Sequence, residues 1–357
     1  MKKIIKIALL SVLGLVIVAG VLVWMEFGSL VKGANSCVKL DDNLYYMEYR
    51  GDDGFRELMA RGGCHEINVL ASYVMEFLSK GHFKPDSINV PVMPVGCSTL
   101  TVKTPDNGAM MARNFDYPYG TALIMHTIPD EGYEAITTFS TDFFGYGENY
   151  KPEGFRNQYM ALTGLFLALD GLNEKGLAVA ILAAGDKVTT HQNTNKPDLT
   201  TTTAVQYLLK NAANIDDALA LLKDVDMNSD PGVAYHFSMA DATGRSVAVE
   251  YVENEMMVTE SPFVTNHYLC EAKFQAGLHE SDHRHEKLME QYNAAGGKMN
   301  ADQLTKTIAS VTQLPEKGAI VGGTLWTMVM DLTHPSVTYY SLRHFDKPFH
   351  FELSHNK

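Results

Sequence analysis

The chain has 357 residues, 46% of them hydrophobic and 20% charged, an ordinary globular balance. Its formal net charge of -13 offers no basic face to phosphates and argues against a nucleic-acid binder. No repeat, low-complexity tract or run of like charges stands out, so the length reads as one large domain or two modest ones.

The first 28 residues differ from the rest. Lys2, Lys3 and Lys6 precede an apolar run from Ile7 to Trp24, interrupted only by Ser11, Gly14 and Gly20. Such a run is long enough to span a bilayer and long for a signal-peptide core. Trp24-Met25-Glu26-Phe27 follows, with no small-residue cleavage site. An uncleaved anchor over 1–28 is therefore preferred to a removed signal peptide. In either case the basic flank stays in the cytoplasm and the remainder is exported, as a membrane-anchored or a secreted protein.

Residues 29–96 read as a preface. A strand is expected over Tyr45–Tyr49, a short helix over Gly54–Arg61, and an apolar helical stripe over His65–Lys80. Pro85, Pro91 and Pro94 close the segment in an extended stretch. The four cysteines are Cys37, Cys64, Cys97 and Cys270. An exported setting permits disulfides, and Cys37 with Cys64 is the pair chosen if one bridge exists.

From Cys97 the pattern turns to strands. Cys97–Lys103 alternates, Pro105-Asp106-Asn107-Gly108 is a turn, and Ala109–Phe115 returns. Further strands are expected over Ala122–Thr127, Glu134–Thr138 and Leu177–Ala184, the last after a turn at Asn173–Gly176. Helices at Ala204–Asn211 and Ala218–Lys223 come next. Tyr235–Asp241 and Arg245–Val252 flank a hairpin turn, and Met256–Val258 and Phe263–Thr265 are short strands. His285–Ala294 and Ala301–Val311 read as helices, and Thr324–Asp331 and Val337–Leu342 as a final strand pair. Strands at both ends with helices between them indicate an α+β domain over 97–357.

No Walker A, GxGxxG, HExxH or GxSxG motif is present; Gly145 and Gly147 lack the third glycine. His279, His283, His285 and Glu286 sit in a polar stretch opening a helix, which is better read as a solvated helix start than as a metal site. No cofactor is implied. The informative segment is Gly96-Cys97-Ser98-Thr99 with Arg113-Asn114-Phe115-Asp116 on the return strand. Hairpin pairing brings Arg113 and Asp116 near Cys97, giving the sulfur a cation that favours thiolate. A nucleophilic cysteine also needs a base, and the local sequence holds none.

Cys97, Arg113–Asp116, Leu172–Leu177, Val264-Thr265-Asn266 and Thr324-Leu325-Trp326-Thr327 together resemble the linear amide C–N hydrolases. These are N-terminal nucleophile (Ntn) enzymes such as bile salt hydrolase, penicillin V acylase, acid ceramidase and the penicillin acyltransferases. The likeness covers about residues 96–343. The Gly-Cys junction behind a long preface looks most like the acyltransferase branch. The resemblance implies a four-layer αββα sandwich and a self-made cut between Gly96 and Cys97. The freed α-amine of Cys97 would then be the general base, which answers the missing-base objection. By motif, Asp116 would hold that amine, Arg113 would sit beside thiol and substrate carbonyl, and Asn266 would donate to the oxyanion. One such donor is typically worth ~3–4 kcal/mol of barrier. Arg284 resembles a second arginine carried by ceramidase-like members. Ala183 departs from the asparagine of many bile salt hydrolases.

The expectation is an exported amidohydrolase or acyltransferase working through an acyl-thioester on an N-acyl amide. The alternative is an anchored surface-binding protein that keeps the fold without processing. Aromatic loops at Phe143-Phe144-Gly145-Tyr146 and Tyr117-Pro118-Tyr119 suit either an acyl pocket or the core. Homo-oligomerisation is left open.

Overall fold

The structure, a computed structural model, describes residues 2–83, 96–118, 120–141, 150–184, 190–229, 233–271, 283–314 and 323–353. It opens with α1 (Lys2–Asn35), β1 (Val38–Asp41), β2 (Leu44–Gly51), α2 (Phe55–Ala60) and α3 (Ile67–Leu78). The hairpin β3 (Gly96–Lys103) and β4 (Ala109–Asp116) follows, then β5 (Ala122–Pro129), β6 (Ala135–Ser140) and α4 (Phe155–Met160). Next come β7 (Asp170–Asn173), β8 (Ala178–Ala183), β9 (Asp198–Thr200), α5 (Thr201–Asn211), α6 (Ile215–Lys223) and β10 (Asp226–Asn228). The strands β11 (Tyr235–Ala240), β12 (Ser246–Val252), β13 (Glu255–Glu260) and β14 (Phe263–Val264) precede α7 (His283–Ala294) and α8 (Ala301–Ala309). The chain ends on β15 (Thr324–Asp331), β16 (Ser336–Ser341) and β17 (Phe349–Glu352).

Two sheets form the centre of the molecule. One runs β1-β2-β5-β6-β7-β8-β11-β12-β13, the other β14-β3-β4-β15-β16-β17. They face each other: Thr99 on β3 meets Ser238 on β11 at 2.8 Å, and Arg113 on β4 donates to the Ile181 carbonyl of β8 at 3.0 Å. The alternation of a strand explains the layering. From β3 and β4, Cys97, Thr99 and Arg113 point at the other sheet. Leu100, Val102, Met110 and Ala112 pack outward with Leu288 of α7 and Leu304 and Ile308 of α8. With α5 against β7 and β8, the order is helix, sheet, sheet, helix. Because both faces of β3 are covered, every residue from Gly96 to Val102 is buried.

Four differences from the sequence reading bear on the site. The helix α1 runs unbroken past residue 28 to Asn35. The preface is part of the large sheet: β2 pairs in parallel with β5 from Leu44↔Ala122 to Gly51↔Pro129. Leu44, Tyr45, Met47 and Tyr49 are buried there, and Leu30 and Ala34 of α1 pack into the same core. Burying each such side chain contributes on the order of 1.5–3 kcal/mol. The Cys37–Cys64 bridge is corrected, since both are buried and neither is in a disulfide. Proximity in sequence does not carry over: Cys37 lies against the Pro152 carbonyl at 3.7 Å, and Cys64 beside the Thr203 hydroxyl at 3.9 Å. Finally, β7 was not foreseen, because Asp-Gly-Leu-Asn has poor strand propensity.

The turn from β7 to β8 depends on Asn173 and Gly176. Asn173 Oδ1 accepts the N–H groups of Lys175 and Leu177, while its Nδ2 donates to the carbonyls of Leu209 and Ala212. Gly176 adopts φ +82°, and a Cβ there would sit 2.0 Å from the Leu332 carbonyl oxygen. Gly176→Ala should therefore lower stability by about 1–3 kcal/mol or more, read as an earlier urea midpoint. An unchanged midpoint would show that the turn yields freely.

Candidate active site

Cys97 is fully buried, one residue into β3. The β3–β4 register sets Gly96 opposite Asp116, Cys97 opposite Phe115 and Thr99 opposite Arg113. Arg113 projects beneath the sulfur, with Nη2 3.5 Å from Cys97 Sγ, 3.0 Å from the Ile181 carbonyl and 3.4 Å from the Leu169 carbonyl. Its Nη1 lies 2.7 Å from Asp170 Oδ2, an ion pair with both side chains inaccessible to solvent. Trp326 Nε1 donates to the same carboxylate oxygen at 3.0 Å. The Trp326 ring stacks on Phe115 with centroids 4.0 Å apart, and the guanidinium sits 5.0 Å from the Phe115 centroid. Aromatic faces and a carboxylate thus fix the cation from several sides.

On the other side of Cys97, Asn266 and Arg284 converge. In this uncut chain Cys97 N–H donates to Asn266 Oδ1 at 2.7 Å. Arg284 Nη2 donates to the same oxygen at 2.8 Å, and its Nη1 lies 3.0 Å from both Cys97 O and Asp116 Oδ2. Asn266 Nδ2 donates to the Ala183 carbonyl at 2.8 Å. Asp116 Oδ1 accepts from Thr324 Oγ1 at 2.5 Å. A register shift between Thr324 and Trp326 makes this possible, setting Thr324 opposite Asp116 and Trp326 opposite Phe115.

All five residues singled out in the sequence, Cys97, Arg113, Asp116, Asn266 and Arg284, therefore meet around Cys97. Two details differ from the expected contacts. Asn266, rather than Asp116, holds the nitrogen of Cys97, while Asp116 accepts from Arg284 and Thr324. The thiol is also not acidified: burial pushes it up to about 12, against the lowering pull of Arg113, with Asp116 adding to the rise. Arg113 is already neutralised by Asp170, so the sulfur faces an ion pair rather than a net charge. Burial likewise raises the carboxyl groups of Asp116 and Asp170, with Arg284 and Arg113 pulling them down.

Asp170 escaped the sequence reading. Its signal was a lone acid closing the apolar run Leu165–Leu169, since an acid in such a place is buried only with a partner. Trp326 and Thr324 lie in a motif already noted, but nothing in sequence assigned them contacts. His285 packs edge-on to Phe263 and His267, at centroid distances of 4.9 and 4.6 Å. Tyr117 is buried, whereas the 143–146 loop, Tyr119 and His279 lie outside the described residues.

Comparison with known proteins agrees with the two-sheet fold. Two crystal structures of conjugated bile acid hydrolase from Clostridium perfringens superpose with TM-scores of 0.54 and 0.56. They share 14% and 13% identity with this chain, and each match covers 72% of it and 92% of the other chain. The molecule therefore has the α+β fold of the N-terminal nucleophile hydrolases. A family model described as acyl-coenzyme A:6-aminopenicillanic acid acyl-transferase matches residues 103–344, and the chain belongs to that family. The match takes in Arg113, Asp116, Asn266 and Arg284 and begins after Cys97. Penicillin V acylase from Pectobacterium atrosepticum is 30% identical over 108 residues, 28% of this chain. The chain thus matches only 29% of the length of that curated relative.

Two outcomes follow from the geometry. Asp170→Asn keeps the shape but leaves the Arg113 charge buried and unneutralised. It should cost about 3–5 kcal/mol, seen as a lower thermal midpoint; an unshifted midpoint would mean that the pair contributes nothing. A raised thiol pKa keeps the proton on sulfur, so thiolate grows with pH. Iodoacetamide labelling of Cys97 in the uncut chain should climb roughly tenfold per unit between about pH 7 and 10. A plateau near neutrality would contradict the burial effect.

Proposed function

We propose that this protein is a self-processing amidohydrolase or acyltransferase whose nucleophile is Cys97, freed as an N-terminus by a cut after Gly96. The observation that carries this reading is the 2.7 Å contact from Cys97 N–H to Asn266 Oδ1, with Arg284 and Asp116 completing the surround. This nitrogen is the atom that a cut would convert from a peptide N–H into an amine, and its partners are already in place.

The cut begins with Sγ attacking the Gly96 carbonyl carbon. A thioester forms as the C–N bond breaks, the nitrogen takes the thiol proton, and water then releases the Gly96 carboxylate. In the processed enzyme the α-amine accepts the thiol proton as Sγ attacks the acyl carbon of an N-acyl amide. Arg113 faces the sulfur, and Asn266 Nδ2 exchanges the Ala183 carbonyl for the developing oxyanion. The resulting ammonium protonates the departing amine. Water, or an acceptor amine, then takes the acyl group from the thioester. The substrate class is a linear N-acyl amide; the relatives' names suggest the penicillin and bile-salt types, and an acyl amino acid presents the same bond.

Location follows from α1. An 18-residue window within Leu10–Asn35 has a mean hydropathy of 2.3, and Leu10–Leu15 and Ile17–Met25 carry their apolar side chains in the open, a helix long and apolar enough to cross a membrane. We read it as an anchor with the catalytic domain outside the cytoplasm. Parallel pairing of β2 with β5 supports retention of the 96-residue piece after the cut.

Intact masses of wild type and Cys97→Ala test the reading. Wild type should split at Gly96–Cys97 and Cys97→Ala should stay whole; a folded wild type that remains full-length would overturn it. Asn266→Ala, scored on a panel of N-acyl amides, should lose roughly 10²–10³ in kcat, and an unaffected kcat would remove its oxyanion role. After processing, the catalytic fragment should stay with washed membranes. Release into the wash would show that β2 detaches.

A further inference from the structure

β11 and β12 carry a buried hydrogen-bonded pair that the reaction above leaves unused. His236 and Glu250 are both wholly inaccessible to solvent, one residue beyond Phe237 and Val249, which face each other across the two strands. His236 Nδ1 lies 3.0 Å from Glu250 Oε1, and its Nε2 lies 2.9 Å from the carbonyl oxygen of Thr265. A carbonyl only accepts, so Nε2 carries a proton. Glu250 accepts twice more, Oε1 from Leu269 N–H at 2.8 Å and Oε2 from Cys270 N–H at 2.7 Å. Burial raises this carboxyl, but the His236 bond and charge and the Leu269 and Cys270 bonds outweigh it and hold it below its usual range. The 3.0 Å contact between Nδ1 and Oε1 holds one further proton between ring and carboxyl group, so both ring nitrogens are engaged.

The placement of these bonds is what distinguishes the pair from ordinary sheet packing. Thr265 immediately precedes Asn266, and Leu269 and Cys270 follow it by three and four residues. The pair therefore grips the loop on both sides of the residue that holds Cys97 N–H. A buried ion pair is seldom more stabilising than apolar packing of the same volume, so bulk stability is a poor account of it. Its hydrogen bonds run outward from the two strands into one loop.

We propose that His236 and Glu250 are positioning residues for Asn266, the hydrogen-bonded pair clamping residues 265–270 so that the Asn266 amide stays against Cys97. This rests on the reading that Asn266 serves the reacting carbonyl, and the pair acts only through it.

The test uses the full-length chain in detergent, with Glu250→Gln, the neutral double His236→Gln/Glu250→Gln, Asn266→Ala, and Glu250→Gln combined with Asn266→Ala. Self-cleavage at Gly96–Cys97 is followed by intact mass, and hydrogen exchange is read on peptides from 96–100, 235–252 and 264–271. Glu250→Gln should slow the cut about tenfold or more and add less than about twofold in the Asn266→Ala background. Exchange should rise in 264–271 and at Cys97 while 235–252 stays protected. The double variant, which leaves no unpaired charge, should fold and show the same loop and cleavage defects should the single variant unfold. Cleavage at the wild-type rate, effects that multiply in the combined variant, or exchange rising equally through β11 and β12 would overturn the proposal. If the wild type itself does not cut, the processing reading fails and the exchange pattern alone decides whether the pair clamps the loop.

Discussion

The site depends on one buried ion pair, Arg113 with Asp170, because it is a fully buried charged link between the two sheets. Arg113 belongs to β4 and Asp170 to β7, and neither is accessible to water. An isolated charge in that position would be very costly, and only a close partner with satisfied hydrogen bonds makes it tolerable. Trp326 donates to Asp170, and the Ile181 carbonyl accepts a hydrogen bond from Arg113, so four strands contribute to holding one guanidinium. The consequence for Cys97 is that it rests on a fixed, neutralised cation. That arrangement orients the sulfur without forcing off its proton, and leaves activation to a group close by.

Around this base the strand register does the rest. The β3–β4 hairpin sets the spacing of Cys97, Arg113 and Asp116, and the shift at Leu325 brings Thr324 to Asp116 and Trp326 to Phe115. Asn266 and Arg284 arrive from β14 and α7, far along the chain, and close over the nitrogen of Cys97. The backbone of the cysteine is thus held at its nitrogen by Asn266 and at its carbonyl by Arg284. Integration of residues 38–51 into the large sheet ties the segment before Cys97 to the segment after it.

Much of this was legible in the sequence, and the reasons differ by residue. Cys97, Arg113 and Asp116 lie on two strands joined by an Asn-Gly turn, so alternation and register place them together without long-range information. Asn266 and Arg284 came only from resemblance, since no local pattern ties residue 266 to residue 97. Asp170 and Trp326 were not assigned because their partners sit on the opposite sheet, and cross-sheet contacts leave no periodicity. The parallel partnership of β2 with β5 was hidden for the same reason, as was the separation of Cys37 from Cys64. The thiol's raised pKa depends on burial and on the prior pairing of Arg113, neither of which spacing reveals.

The central claim is that the nitrogen held by Asn266 becomes a free amine. N-terminal sequencing of the large fragment from membranes tests it most directly. The account predicts a single sequence beginning Cys-Ser-Thr-Leu, from Cys97 onward. A fragment beginning elsewhere, or a chain that retains its original N-terminus while hydrolysing N-acyl amides, would contradict it.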